Sequence, residues 1–152
     1  MADDKITPAH AQIKSSRYTE HYPAHGTREG DPHYADFNAF HRKIKKDPAL
    51  YLCAVGKARG DYSECTLDLP LEVHHSHVEW ALQNMFILFP EDVQMLELQY
   101  PGVTDPSQVG AWIESEENLM VLCQFHHRGH GGAHTASASD WEAQKFVKGF
   151  LS

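Results

Sequence analysis

The chain predicts an α+β domain, and three observations carry that expectation. Phe37, Phe40, His41 and Ile44 recur at helical spacing. Leu67, Leu69, Leu71 and Val73 alternate with Thr66, Asp68, Pro70 and Glu72, the two-residue period of a strand. Leu119 to Leu122 is a short apolar run of the kind that makes a buried strand. Helices and strands therefore coexist without the regular βαβ alternation of a parallel sheet.

Residues 1–32 are polar, rich in Pro and Gly, and show no apolar period. They read either as partly disordered or as a strap around the domain that fills residues 33–152. Asp31-Pro32 predicts the first helix start, with Asp as cap and Pro in the first turn, and Asp47-Pro48 its end. The outer face of that helix carries Arg42, Lys43, Lys45 and Lys46, which is a solvated face or a phosphate-contacting one. The first strand ends on His74 and His75, and Pro70 marks it as an edge strand. A long insertion, residues 78–117, follows. Met85 to Tyr100 within it is apolar and helical on both sides of Pro90, stopped by Pro101-Gly102. After the second strand comes a Gly-rich, His-rich segment ending at His134. Ser139 with Glu142 predicts a capping box for a last helix, with Ala143, Phe146, Val147, Phe150 and Leu151 as its buried face.

A chain of 152 residues favours one domain. At 41% hydrophobic and 22% charged it has a globular composition, and no apolar run is long enough to span a bilayer. Met1-Ala-Asp-Asp-Lys5 lacks the basic-then-apolar layout of a secretion signal, so a cytoplasmic location is expected, that of a host cell if the chain is phage-encoded. Three cysteines cannot complete a disulfide framework, and beside histidines in a reducing compartment they are more often metal ligands. The net charge of -8 argues mildly against nucleic acid, but its distribution is uneven. Residues 41–60 carry a local +5, whereas residues 61–118 hold twelve Asp or Glu and no Lys or Arg. Nucleic acid would have to approach from the Arg42–Lys46 and Arg128 side.

The informative residues are His74, His75, Asn118 and His127. Hydrolysis of a phosphodiester needs an activated water and neutralisation of charge on the phosphate oxygens. An imidazole suits the first task and a divalent ion held by others suits the second. Neighbouring side chains on a strand diverge, so His74 can face a metal while His75 faces water. Asn118 can hold a His75 nitrogen through its side-chain carbonyl.

Val73-His74-His75, then Glu117-Asn118-Leu119-Met120-Val121-Leu122-Cys123, then His126-His127-Arg128-Gly129 resembles the HNH endonucleases, particularly the small phage-encoded type. The likeness spans roughly residues 51–141. It implies a ββα-metal (His-Me finger) core with flanking helices and a helical insertion between the strands. It implies a metal-dependent DNA endonuclease or nickase that leaves 5′-phosphate and 3′-hydroxyl ends. On this resemblance His74 and His127 hold the catalytic ion (Mg2+, Mn2+, Ni2+ or Zn2+), His75 is the general base and Asn118 orients it. His134 is the candidate third ligand, although Gly129, Gly131 and Gly132 intervene. Many members also hold a structural zinc through two Cys-containing pairs. Here Cys123 and His126 match one pair, and Cys53 matches half of the other, whose second Cys is Gly56. Cys65 would complete a Cys53, Cys65, Cys123, His126 set; otherwise Cys53 and Cys123 are buried small hydrophobes. Arg42, Lys43, Lys46 and Arg128 are the candidate DNA contacts. His77 and Glu79 are either supporting partners of the site or surface residues. The acidic insertion is a candidate surface for a protein partner such as a phage terminase, and no membrane contact is expected. The competing reading is a catalytically silent, zinc-stabilised module that binds DNA or protein on the same scaffold.

Overall fold

The computed structural model describes residues 6–151, so Met1 to Lys5 and Ser152 lie outside it. It is an α+β chain: among the described residues, seven helices surround one two-stranded antiparallel sheet. Helices α1 (Tyr34–Lys46) and α2 (Ala54–Arg59) precede strand β1 (Glu72–His75). The insertion holds a 3-10 turn (Trp80–Leu82), α3 (Met85–Leu88), α4 (Asp92–Gln99) and α5 (Pro106–Ile113). Strand β2 (Leu119–Leu122), α6 (Gln124–Arg128) and α7 (Ala138–Ala143) complete the chain.

Several element boundaries differ from expectation for identifiable reasons. Asp31 is not the cap of α1. Its Oδ1 accepts from the His33 backbone N and its carbonyl from Tyr34 N, so it closes a turn that delays the helix to Tyr34. The alternation at residues 67–71 does not become strand. Pairing starts only at Glu72, because β2 supplies four partners and runs straight into α6 at Cys123. Leu67 and Leu69 are left exposed. The last helix is capped by Ser137, which accepts from Asp140 N, rather than by Ser139. It ends at Ala143, and Phe146, Val147 and Phe150 are exposed, not a buried face. The buried group there is Gln144, whose amide donates to the Gly131 carbonyl. In the insertion the helices do break on either side of Pro90, as α3 and α4. The Asp105-Pro106-Ser107-Gln108 sequence, a complete capping box that the periodicity did not single out, starts α5.

Two apolar clusters hold the molecule. Ile44, Cys53, Val55, Leu71, Val121, Leu122 and Cys123 form one, packing α1 and α2 against the sheet. Val93, Leu96, Val103, Val109, Trp112 and Ile113 form the other, wholly within the insertion. The insertion therefore buries a core of its own, while Ile87, Leu88, Phe89, Met95 and Leu98 stay exposed. Residues 24–31 strap onto the domain: Asn84 donates to the Ala24 carbonyl at 2.8 Å and Trp80 to Asp31 at 2.7 Å. No helix among the described residues is long and apolar enough to cross a membrane.

Leu122 is the central residue of the first cluster, fully buried on the strand that leads into α6. Leu122→Ala is expected to lower stability by about 2–5 kcal/mol, read from urea unfolding followed by circular dichroism.

Candidate functional site

Strand β1 delivers its side chains alternately to two faces. Glu72 and His74 share one face. His74 meets His127 from α6 and His134 from the turn beyond it, with ring centroids 5.2 and 4.8 Å away. One nitrogen from each of the three rings lies within 4.8 Å of the others, so the set could hold a metal ion. The Nε2 atoms of His127 and His134 are 3.1 Å apart. Two nitrogens bound to one tetrahedral ion at ~2.0–2.1 Å would sit roughly 3.3 Å apart. Glu72 Oε1 lies 3.0 Å from His127 Nδ1, which directs that hydrogen to the carboxylate and leaves Nε2 free. Burial, then the neighbouring His134 and His127, pushes the pKa of His74 down to about 4, so the ring is the neutral form a ligand requires. His74 Nδ1 is buried without a hydrogen-bond partner, an orphaned atom that a bound ion could satisfy.

His134 reaches this set in spite of the three glycines, and because of one of them. Its backbone N donates to the His127 carbonyl at 3.1 Å, and Ala133 N donates to the His126 carbonyl at 2.9 Å. The returning chain lies so close to α6 that a Cβ on Gly132 would fall 2.6 Å from the His127 carbonyl oxygen. His130 is exposed and outside the set.

The second set is Cys53, Cys65, Cys123 and His126, whose four donor atoms lie within 4.8 Å of one another and could hold a metal ion such as Zn2+. Cys53 and Cys123 open α2 and α6, and His126 lies on α6 one residue before His127. The His126 Nδ1 is 3.6, 3.7 and 3.2 Å from the sulfurs of Cys53, Cys65 and Cys123. Tetrahedral zinc with ~2.3 Å Zn–S and ~2.0–2.1 Å Zn–N bonds sets that spacing at about 3.6 Å. The Cys123 thiol is held well below its ordinary pKa, first by the Cys53 thiol that donates to it and also by His126. A Cβ at Gly56 would fall 2.3 Å from the Tyr62 ring and 3.1 Å from Cys65 Sγ. The glycine thus leaves the room that Cys65 uses.

His75 points to the other face of β1. Its ring stacks on Phe37 at 5.7 Å and 18°. Its Nε2 lies 3.2 Å from Glu114 Oε2, and its Nδ1 lies 3.9 Å from Glu79 Oε2. Glu79 also lies 4.0 Å from His134 Nδ1, between the two faces. The expectation that the Asn118 side chain holds a His75 nitrogen is corrected. Among the described residues no hydrogen bond joins them. Asn118 Oδ1 accepts from His77 N and Val78 N at 2.8 and 3.0 Å. Its amide donates to the Val78 and Ile113 carbonyls at 2.8 and 2.9 Å. Asn118 instead ties down the backbone that leaves His75. His77 turns away and packs on Tyr100 and Trp112.

The candidate DNA contacts divide. Arg42 and Lys46 are exposed on α1, but Lys43 pairs with Glu116 and Arg128 with the same Glu72 that holds His127. The acidic stretch is therefore not a separate face. Glu72 and Glu114 are site residues that sequence reasoning missed. Glu72 was readable, being two residues before His74 and so on the same strand face; Glu114 carries no such signal. Comparison with models of known families, with curated proteins and with solved structures finds no match.

Gly56→Ala is expected to displace Tyr62 and Cys65 and to lower the zinc content per chain relative to the unaltered protein, measured by atomic absorption after dialysis. Asn118→Ala removes the partner of two part-buried N–H groups and two carbonyls and is expected to cost about 2–4 kcal/mol in denaturant unfolding. A loss under about 0.5 kcal/mol, the range of neutral surface changes, would contradict its role as a tie.

Proposed function

We propose that the chain is a metal-dependent endonuclease of the HNH type, acting on DNA. The observation that carries the reading is the pairing of a three-imidazole set on one face of β1 with His75, the next residue, on the other. The order β1, insertion, β2, α6 supports the ββα-metal assignment. His74, His127 and His134 would hold one divalent ion, and an all-imidazole set favours Zn2+, Ni2+ or Mn2+ over Mg2+. Such an ion, when bound, supplies Lewis-acid neutralisation of the phosphate oxygens. His75 accepts a proton from the water whose oxygen attacks phosphorus. The phosphorus–3′-oxygen bond breaks, and the leaving oxygen takes up a proton as a 3′-hydroxyl. Glu72 keeps the His127 ring turned with Nε2 free, and Asn118 keeps the backbone after His75 in place. The set Cys53, Cys65, Cys123 and His126 would hold a structural zinc that fixes the start of α6, and with it His127.

Arg42, Lys46 and, once freed from their carboxylates, Lys43 and Arg128 are the proposed DNA contacts. The exposed Ile87, Leu88, Phe89, Met95 and Leu98 beside acidic residues support a protein partner at the insertion, of the terminase kind, in the cytoplasm of a host cell. The second reading is the silent binding module. It is favoured by the net charge of -8 and by a His75 side chain only 11% exposed.

Nicking of supercoiled plasmid across Mg2+, Mn2+, Ni2+ and Zn2+ separates the two. Metal-dependent cutting is expected, slowed roughly 10²–10⁴-fold by His75→Ala with metal content unchanged. Cutting that His75→Ala leaves intact removes the proposed base. No cutting of plasmid, single-stranded DNA or RNA under any of these ions favours the module.

A further inference from the structure

The residue that holds His75 in place comes from the insertion, and a residue of the N-terminal strap braces it. Glu114 follows α5, and its side chain is completely buried. One carboxylate oxygen, Oε2, faces His75 Nε2 at 3.2 Å. The other, Oε1, contacts Arg28 Nη1. The Arg28 guanidinium is itself caged, with its carbon 4.8 Å from the Phe37 ring centre and 5.1 Å from those of Tyr34 and Trp80. Phe37 also stacks on the His75 ring. Arginine, carboxylate and imidazole thus form one connected unit around a shared aromatic ring.

We propose that Glu114, braced by Arg28, is the positioning residue for His75, and that it sets the tautomer in which Nε2 carries the hydrogen and Nδ1 is bare. The inference rests on reading His75 as the base, and it names the atom that takes the proton. A carboxylate only accepts hydrogen bonds, so the ring nitrogen facing it at 3.2 Å must be the N–H. Glu79 lies 3.9 Å from Nδ1, beyond hydrogen-bond reach, so that nitrogen keeps its lone pair unengaged. Glu79, the carboxylate on the Nδ1 side of His75, also lies 4.0 Å from Nδ1 of His134, a member of the three-imidazole set. A buried carboxylate without a counter-charge is strongly destabilising, which is why the arginine belongs to the device. Phe37 stacks against one side of the His75 ring, 5.7 Å away. Asn118, often the first candidate for such a role by its place in the sequence, is engaged with the backbone instead.

The test reads the tautomer directly and does not need catalysis. Long-range 1H–15N correlation NMR is recorded on the full chain, purified with Zn2+ and labelled with 15N-histidine, with the His75 signals assigned by their loss in His75→Gln. The expected pattern for the unaltered chain is a protonated Nε2 and a bare Nδ1. Glu114→Gln, whose amide can offer either a donor or an acceptor, is expected to give a mixture of the two tautomers. In plasmid cutting the same variant is expected to lose roughly 10²-fold in kcat, with KM and metal content unchanged. A His75 protonated on Nδ1 in the unaltered chain overturns the proposal, even if Glu114→Gln does not fold. So does a folded Glu114→Gln with the tautomer and kcat of the unaltered chain. If the unaltered chain cuts no nucleic acid, the nuclease reading fails alone, and the tautomer still decides whether Glu114 positions His75.

Discussion

Four backbone pairings, Glu72 to Leu122 through His75 to Leu119, set the position of everything else in the candidate site. The pleat of that short ladder sends His74 and Glu72 one way and Val73 and His75 the other. A slip of one residue would exchange the faces, turning His75 toward α6 and His74 toward Phe37. Two strands of this length do not hold their own register. It is set from the ends: Val121 and Leu122 are locked in the first apolar cluster, and Asn118 ties the backbone just past His75. The cysteine and histidine set, which could hold a metal ion, lies at the other end, where β2 passes into α6.

The helix that follows β2 is only five residues long, yet it supplies His126 to one donor set and His127 to the other. Successive residues of a helix are about 100° apart, so adjacent histidines on one turn can serve two centres. So short a helix is not stable by its own hydrogen bonds. Its first turn is anchored by Cys123 and its last is closed by the return of residues 133–134. The geometry of the three-imidazole set thus depends on backbone contacts, some of them made by residues outside it such as Cys123 and Ala133.

Much of this was legible in the sequence because the signals were local. Leu119 to Leu122 reads as a strand and is one, Pro90 separates two helices, α3 and α4, as expected, and the residues that the resemblance groups into two sets lie together. Where reading failed, the deciding information was not local. The alternation at residues 67–71 is genuine, but a strand extends only as far as its partner, and β2 has four residues to offer. The apolar stripe at Phe146, Val147 and Phe150 was read as a buried face, but the chain after Ala143 is held by polar contacts, from Arg59 to the Gln144 and Val147 carbonyls and from Gly149 N to Glu64, and Gln144 takes the interior position. The role given to Asn118 failed because three backbone groups from the turn and one from α5 compete for its amide. The Glu114 carboxylate could not be read at all, since nothing along the chain announces which buried acid will find an arginine 86 positions away.

The insertion divides into parts under different constraints. Both donor sets lie wholly outside residues 78–117, while the two carboxylates nearest His75, Glu79 and Glu114, stand just inside its two ends. The helices between them bury their own core and supply no residue to either donor set. Doubling the length of a flexible connection costs only about 0.6 kcal/mol of closure entropy. The middle of the insertion is thus a cassette: relatives can be expected to differ most in its size and surface, and grafting there is the least intrusive way to retarget the protein. The first few and last few residues of the cassette adjoin the scaffold, and an exchange that includes them would leave both candidate donor sets intact while removing Glu79 and Glu114, the two carboxylates beside His75.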